Sequence, residues 1–425
     1  MRVVQVLHGW PPESMGGTGQ YVSSLSAGLR ARGCTVWLAH PSPAPGPVGI
    51  HSQGDSVSLT GPRPARWSSS WRRPRELSAW RRWLRATSPD VVHIHHLSGL
   101  PLGLPAASRS LGVPVVLTLH DYALPCARGQ LIDRDLSLCP GPTATRCSTC
   151  LSDQLRLTPL TAYLSGILSR WPSLRRRAHA AGGALPPRAV DRARVQARLD
   201  VVSSSLASVD VLLSPSHDLA ARFASLGYRR PRWCPLPLTQ PVPAAPPAPP
   251  GPVRFLFAGS VIPTKGPHHL LSAFSRLPAG RATLTIAGHS PDFGLWPGFG
   301  ESLRARAEAT PGVTWLGGIP SSKIPALLHS HDVLVLASLW PENSPLTIRE
   351  ATAAGLPVIT TTLGGARELA SDARLVAPGD IPALVSALEA CCAQGRHRTR
   401  PHRWQTSDEH AIWMLDEVYR GVVSQ

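Results

Sequence analysis

Two doubly wound parallel α/β units joined by a proline-rich connector are what this sequence predicts, on three observations. Short apolar runs of strand length alternate with helix-period segments through the first half. Residues 235–252 then break the pattern with a stretch that can be neither a helix nor a central strand. Beyond that stretch the alternation begins again. A chain of 425 residues exceeds what one hydrophobic core usually fills, so two units are the first expectation. With 43% hydrophobic and 16% charged residues the chain is expected to pack rather than stay disordered.

In the first half the strand-like runs are Val3 to Leu7, Val36 to Ala39, Val91 to Ile94, Val115 to Leu119 and Val211 to Ser214. Tyr21, Val22, Leu25 and Leu29 have helical spacing and lead to Gly33, a plausible C-cap. In the second half the runs are Val253 to Ala258, Ala282 to Ala287, Val313 to Leu316, Val333 to Ala337 and Pro357 to Thr361. From Thr406 to Val423 a closing amphipathic helix is expected, with Ile412, Leu415, Val418, Tyr419 and Val422 on its apolar stripe. The expected organisation is therefore a first unit at 1–235, a connector at 236–252, a second unit at 253–400 and a closing helix at 401–425. No repeat of solenoid period is evident.

Chemistry concentrates after the run Asp332 to Ser338. Glu342 and Glu350 stand eight positions apart, and the order strand, polar loop, helix opening at Pro345 places one carboxylate beside a helix mouth and the other inside the helix. Ligands of open α/β sheets settle outside the carboxyl ends of the strands, and free N–H groups at a helix start suit a phosphate or diphosphate. A nucleotide-linked ligand is the expectation. Three further loops have anion-binding character: Met15-Gly16-Gly17-Thr18-Gly19 after the first strand, Gly259 to Gly266 with Lys265, and Thr362-Leu363-Gly364-Gly365 ahead of Arg367. The first, taken alone, is equally well a turn that needs positive φ.

Lysine is scarce, which makes Lys265 informative. Of the 43 basic residues 41 are arginines, the exceptions being Lys265 and Lys323, so part of the formal charge of +17 is compositional rather than a nucleic-acid footprint. An ammonium in a glycine-flanked loop suits a leaving diphosphate as a compact point charge.

Together these residues resemble the family 4 glycosyltransferases, the retaining group with the GT-B fold of two Rossmann-like domains facing across a cleft. The resemblance runs along nearly the whole chain: Gly16-Gly17, Pro89 to His95, Thr118-Leu119-His120-Asp121, Pro215-Ser216, Gly259 to Gly266, Gly288, Leu316-Gly317, and Glu342 to Ala351. It implies transfer of a sugar from a nucleoside diphosphate to a saccharide or lipid-linked acceptor with retained anomeric configuration, in cell-surface polysaccharide or glycolipid synthesis. It also implies the roles. Glu350 would bond the donor ribose. Glu342 would lie by the donor sugar, with the backbone of Asn343, Ser344, Pro345 and Leu346 near sugar and phosphate. Lys265 and the Gly259 loop would meet the diphosphate, Gly16 and Gly17 would approach it from the first unit, and His120 would lie near the reacting sugar. No cofactor is needed, because the nucleotide sugar is itself the substrate. One departure stands out: Ser260 occupies a position where family members often carry an arginine.

The physical chemistry is compatible. Breaking the glycosyl–phosphate bond builds positive charge on the sugar and negative charge on the leaving group, so preorganised donors at the diphosphate lower the barrier most. Glu342 is better cast as a positioning and charge-stabilising group than as a glycosidase-type nucleophile. Two other readings remain open at this point: a nucleotide-sugar epimerase of similar architecture, and a non-catalytic protein that binds nucleotide sugar or nucleic acid.

Cys126, Cys139, Cys147 and Cys150 fall in the loop 121–151 with the spacing C-x12-C-x7-C-x2-C. A structural zinc site and four unligated thiols are equally compatible with that spacing. Cys34, Cys234, Cys391 and Cys392 look like ordinary scattered thiols. His93, His95 and His96 at a strand end are read as hydrogen-bonded structure rather than metal ligands.

Trp67, Trp71, Trp80 and Trp83 interleave with arginines, a composition suited to an anionic lipid surface. Leu77, Trp80 and Leu84 have helix spacing and are expected to pack inward, so membrane contact is assigned to Arg66 to Arg75 and to Arg170 to Arg177, with Trp171 and Leu174. The first residues read as a strand rather than a signal peptide, and no run reaches 18 apolar residues. The expectation is a cytoplasmic protein, peripheral at the inner membrane face.

Overall fold

The computed structural model describes residues 1–9, 16–61, 71–151, 191–247 and 249–424. Among them are two sheets. The first comprises β1 (Arg2–Val6), β2 (Thr35–Pro41), β3 (Gly49–Gln53), β4 (Ser56–Thr60), β5 (Val91–Ile94), β6 (Val115–Thr118), β7 (Val211–Ser214) and β8 (Arg232–Trp233), in the order β3-β4-β2-β1-β5-β6-β7-β8. All neighbours are parallel except the hairpin β3–β4. The second comprises β9 (Val253–Ala258), β10 (Ala282–Ala287), β11 (Val313–Gly317), β12 (Val333–Leu336), β13 (Val358–Thr361) and β14 (Arg374–Val376), all parallel, in the order β11-β10-β9-β12-β13-β14.

Strands β5, β6, β12 and β13 are buried at every position, as central strands covered on both faces must be. That explains their Val, Ile and Leu content, interrupted by His93, Thr118, Thr360 and Thr361, whose buried side chains are hydrogen-bonded. The core of the second sheet is built on Phe255, Phe257, Leu284, Ile286, Leu334, Leu336 and Ile359.

Strand order fixes where a ligand can go. The second sheet has the nucleotide-binding order 3-2-1-4-5-6, and its direction of growth reverses between β9 and β12. The first sheet reverses between β1 and β5. Loops leaving β9 and β12 carry Lys265 and Glu342, and the loops leaving β1 and β5 carry Gly16, Gly17 and His95. The sequence-predicted residues therefore collect at two switch points.

The closing segment returns to the first sheet. Thr406 caps the helix Ser407–Trp413 in a reciprocal capping box with Glu409. A π-helical stretch, Met414–Tyr419, follows, then the helix Arg420–Val423. The wider π turn rotates the buried stripe. Ala411, Met414, Leu415, Val418, Tyr419 and Val422 pack on Val3, Leu7, Tyr21 and Leu25, whereas Ile412, expected on that stripe, is 43% exposed.

The proline-rich connector runs as a strap along the second lobe. Ala245 N–H donates to Ala354 O at 2.8 Å, and Val242 and Ala245 pack on that lobe's core. Trp80 and Leu84 are buried on the helix Pro74–Thr87, as their spacing predicts. Trp71 is also buried, with the Arg72 guanidinium 4.9 Å from its ring, so it is packing and not a lipid anchor. Arg66, Trp67, Arg170 to Arg177, Trp171 and Leu174 lie outside the described residues. No helix among the described residues is long and apolar enough to cross a membrane.

Candidate active site between the lobes

The helix Gly17–Arg30 opens after Gly16 with no side-chain cap, and the helix Leu346–Ala353 opens after Pro345, likewise uncapped. Their first-turn N–H groups are left for water or a ligand. The two starts lie close together: a Cβ at Gly17 would be 3.4 Å from Cδ1 of Leu346, whereas one at Gly16 would meet nothing within 4 Å. Two positive helix ends thus face a shared space, where an anion is favoured.

Lys265 ends the short turn Pro263–Lys265 that follows β9. The turn closes on Gly266, whose φ is +70° and where a Cβ would fall 1.9 Å from Ala337 O, so only glycine allows this loop to lie against the end of β12. Lys265 Nζ donates to Glu342 Oε1 at 2.7 Å. The same oxygen accepts from Ser338 Oγ at 3.0 Å and Trp340 Nε1 at 2.9 Å. Glu342, 4% exposed, is therefore fixed from three sides.

Glu350 lies inside the helix with separate partners. Gln240 Nε2 donates to its Oε1 at 3.0 Å and to Ser321 O at 2.9 Å. Burial pushes the Glu350 carboxyl up to about 7, and the Gln240 bond only partly opposes that. Gln240 was not singled out in the sequence, although within 235–252 only Thr239 and Gln240 bear hydrogen-bonding side chains.

Between the acids, Asn343 Nδ2 donates to His120 O at 2.8 Å, a direct bond across the lobes, and Asn343 Oδ1 is buried without a partner. Ser344 Oγ accepts from Arg349 Nε at 2.9 Å. The buried Arg349 guanidinium stacks 4.3 Å from the Trp404 ring. Gly365 N–H donates to Glu342 O at 2.6 Å, and a Cβ there would be 2.4 Å from Ser216 Cβ of the first lobe. Glu368 then caps the helix His217–Ser225, taking the N–H groups of His217 and Asp218 at 2.8 and 2.7 Å. Ser216 and Glu368 were not assigned from sequence, because their contacts are set by lobe packing, and neither were Ser338 and Trp340, which bond Glu342 within one loop. Arg367, half exposed, lies 3.8 Å from Asp218, and Ser260 is exposed.

On the first-lobe side His120 lies two residues beyond β6, its Nε2 3.3 Å from His95 Nδ1 and its ring 5.3 Å from Tyr21. Burial lowers its pKa to about 3, so the ring is neutral. His93 bonds Tyr419 Oη and Thr118 Oγ1, and His95 bonds Gln5 Oε1, in line with a structural reading of that histidine pair. His120, Asp121, His95 and His96 border a cavity of about 400 Å³ in this lobe.

The four loop cysteines proposed as a structural zinc site line one small cavity beside it. Among the described residues no group of three His, Cys, Asp or Glu stands ready to hold a metal. Cys150 Sγ accepts from Arg128 Nε at 3.1 Å, Cys139 Sγ bonds Gly141 O, and burial keeps Cys147 protonated with its pKa pushed up to about 11.

Known proteins share this layout. The family model described as Glycosyltransferase Family 4 matches residues 15–141, and that described as Glycosyl transferases group 1 matches residues 252–394. The chain is 25% identical over 432 residues to a glycogen synthase of Mycobacterium tuberculosis, covering 96% of this chain and 92% of the relative. It is 37% identical over 125 residues to a putative glycosyltransferase, YtcC, of Bacillus subtilis, covering 27% of this chain and 29% of that one. Among solved structures, sucrose-phosphate synthase from Thermosynechococcus elongatus superposes with a TM-score of 0.60 at 16% identity, covering 100% and 96% of the two chains. Anabaena HepE in complex with UDP and glucose superposes at 0.58 and 14% identity, covering 100% and 98%. At such identities the structural likeness establishes the fold.

Proposed function

This chain belongs to the family 4 glycosyltransferases of GT-B fold, and we propose that it moves a hexose from a nucleoside diphosphate to a saccharide or lipid-linked acceptor with retained configuration. The observation that carries the reading is the convergence of two uncapped helix starts on the crevice that also holds the Lys265–Glu342 pair. The chemistry then follows from these groups. The helix N–H groups and Lys265 Nζ hold the diphosphate and stabilise its charge as the glycosyl–oxygen bond breaks toward phosphate. Glu342, pinned by Ser338 and Trp340, orients the donor sugar, and Glu350 with Gln240 takes the ribose hydroxyls. The acceptor oxygen bonds the anomeric carbon on the face the phosphate leaves, and its proton passes to the departing phosphate oxygen. No protein carboxylate needs to take that proton, and neutral His120 serves as a hydrogen-bonding neighbour rather than an acid.

The HepE complex with UDP and glucose supports a uridine donor as the first choice. The site of action we assign is the cytoplasmic face of the membrane, in assembly of a cell-surface polysaccharide or glycolipid, with the arginine-rich stretches as the contact. The test is a nucleotide-sugar panel read by thermal stabilisation, donor hydrolysis and NMR of the product anomer. Stabilisation and an anomer of unchanged configuration are expected. Absence of binding, hydrolysis and transfer with every donor would remove the reading, and an inverted product would remove retention alone.

A further inference from the structure

The first-lobe cavity of about 400 Å³ falls in the size range of small-ligand sites, and Arg198 lies in its wall. Arg198 is carried by the helix Arg192–Ala207, whose Val195, Val202 and Leu206 anchor it in the core. It is 7% exposed, and its one hydrogen bond is from Nη2 to Ala123 O at 2.8 Å. No acidic side chain among the described residues pairs with it. The half-buried Arg254, Arg396 and Arg398 gather on Asp332 at 2.8, 3.2 and 3.6 Å, whereas Arg349, buried like Arg198 and likewise without an acid among the described residues, stacks on Trp404 and bonds Ser344 Oγ. A buried guanidinium with a single carbonyl partner leaves most of its desolvation cost uncompensated, and a bound oxyanion is its natural complement.

The other charges of the cavity are already spoken for. Arg73 is paired with Glu76 at 3.1 Å. Among the described residues Asp121 is the sole acid in the wall, and it is held by His96 Nε2 and by Ala123 N–H, each at 2.8 Å. Arg128 is held by Cys150 Sγ and O. Burial disfavours the charged form of Arg198, as expected for a cation awaiting a counter-ion.

We propose that the acceptor taken by this cavity is a saccharide or polyol bearing an oxyanion, phosphate or carboxylate, bound by the Arg198 guanidinium. Only the word acceptor rests on the glycosyl-transfer reading; the anion selectivity is a property of the cavity. The experiment is calorimetric titration of the full chain, with UDP present, using glucose, glucose 6-phosphate and glucuronate, alongside Arg198→Met and Arg198→Lys. At least one anionic sugar is expected to bind tenfold or more tightly than glucose. Arg198→Met should abolish that ratio, and Arg198→Lys should keep part of it. A preference for the phosphate or for the carboxylate supports the proposal and names the group. The proposal is overturned if neither anionic sugar outbinds glucose in the wild type, a comparison that needs no variant to fold, or if the ratio survives in Arg198→Met. UDP titrated alone separates the two readings, since its failure to bind counts against glycosyl transfer and leaves the sugar comparison standing.

Discussion

Lys265 Nζ and Glu342 Oε1 are 2.7 Å apart, and the same carboxylate oxygen is also held by Ser338 and Trp340. The ammonium is thus stored on an acid that keeps two neutral donors when the lysine turns to a phosphate. Lys265→Met is expected to lower kcat by about 10²- to 10³-fold, the usual cost of removing one stabiliser of transition-state charge. The donor KM should move only a few-fold, and the protein should stay folded because Glu342 retains Ser338 and Trp340. Steady-state kinetics check this, and a variant with unchanged kcat would take Lys265 out of the reaction.

Glu350 sets a pH dependence. Its folded-state pKa, raised to about 7 from an ordinary 4.5, means that between those values the folded chain holds a proton the unfolded chain has lost. Stability attributable to this group therefore falls as pH rises from 4.5 through 7, by an amount on the order of 3 kcal/mol at most. Glu350→Gln, which keeps an acceptor for Gln240, should flatten the dependence of melting temperature on pH in that window. If the carboxylate binds the ribose, wild-type donor affinity should instead rise across pH 6 to 8 and the variant's should not. Parallel pH profiles for the two proteins would contradict both expectations.

Gly365 is the tightest point between the lobes. A Cβ would lie 2.1 Å from Asn343 O and 2.4 Å from Ser216 Cβ, and neither the backbone carbonyl nor that side chain can yield without moving its lobe. Gly365→Ala should lower the melting temperature, costing about 1–3 kcal/mol, and raise the donor KM through the displaced Asn343. Gly421→Ala, in the helix Arg420–Val423 where nothing lies within 4 Å, is the control and should leave the donor KM unchanged without lowering the melting temperature.

The parts of this molecule that were legible in the sequence are those whose environment is uniform along the chain. Val91–Ile94, Val211–Ser214, Val253–Ala258 and Ala282–Ala287 form strands with the expected bounds, because their buried positions carry mostly Val, Ile, Leu, Phe and Ala in runs of strand length. The hairpin β3–β4 escaped notice although its turn, Gly54-Asp55, is a recognisable two-residue signal, since Gly49–Gln53 is an exposed edge with polar residues. In the site, Lys265, Glu342, Asn343 and Glu350 were readable because they follow strands at a switch point. Gln240 and Glu368 were not, since each acts on residues more than 100 positions away, Gln240 through the connector laid on the second lobe and Glu368 through the packing of lobe on lobe. The π turn at Met414–Tyr419 left no mark on the helical spacing that placed Ile412 inside.

His120 supplies the last prediction, because two of its atoms do different things. Its carbonyl holds Asn343 across the cleft, while its ring, with a pKa lowered to about 3 by burial, is neutral at any pH at which the protein would be assayed. A group that does not titrate in the working range cannot shape a pH–rate profile, and a neutral imidazole beside His95 and Tyr21 contributes a hydrogen bond rather than a proton transfer. His120→Gln leaves the carbonyl in place and substitutes one neutral hydrogen-bonding group for another. It should cost about 1 kcal/mol, a five- to tenfold loss of kcat, with the pH profile and the donor KM unchanged. A general acid or base at this position would instead cost about 10²- to 10⁴-fold and remove one limb of the profile. The pH dependence of kcat and of kcat/KM for the donor in His120→Gln and Glu350→Gln, measured side by side, separates these outcomes, because only the second should lose the inflection of kcat/KM near 7.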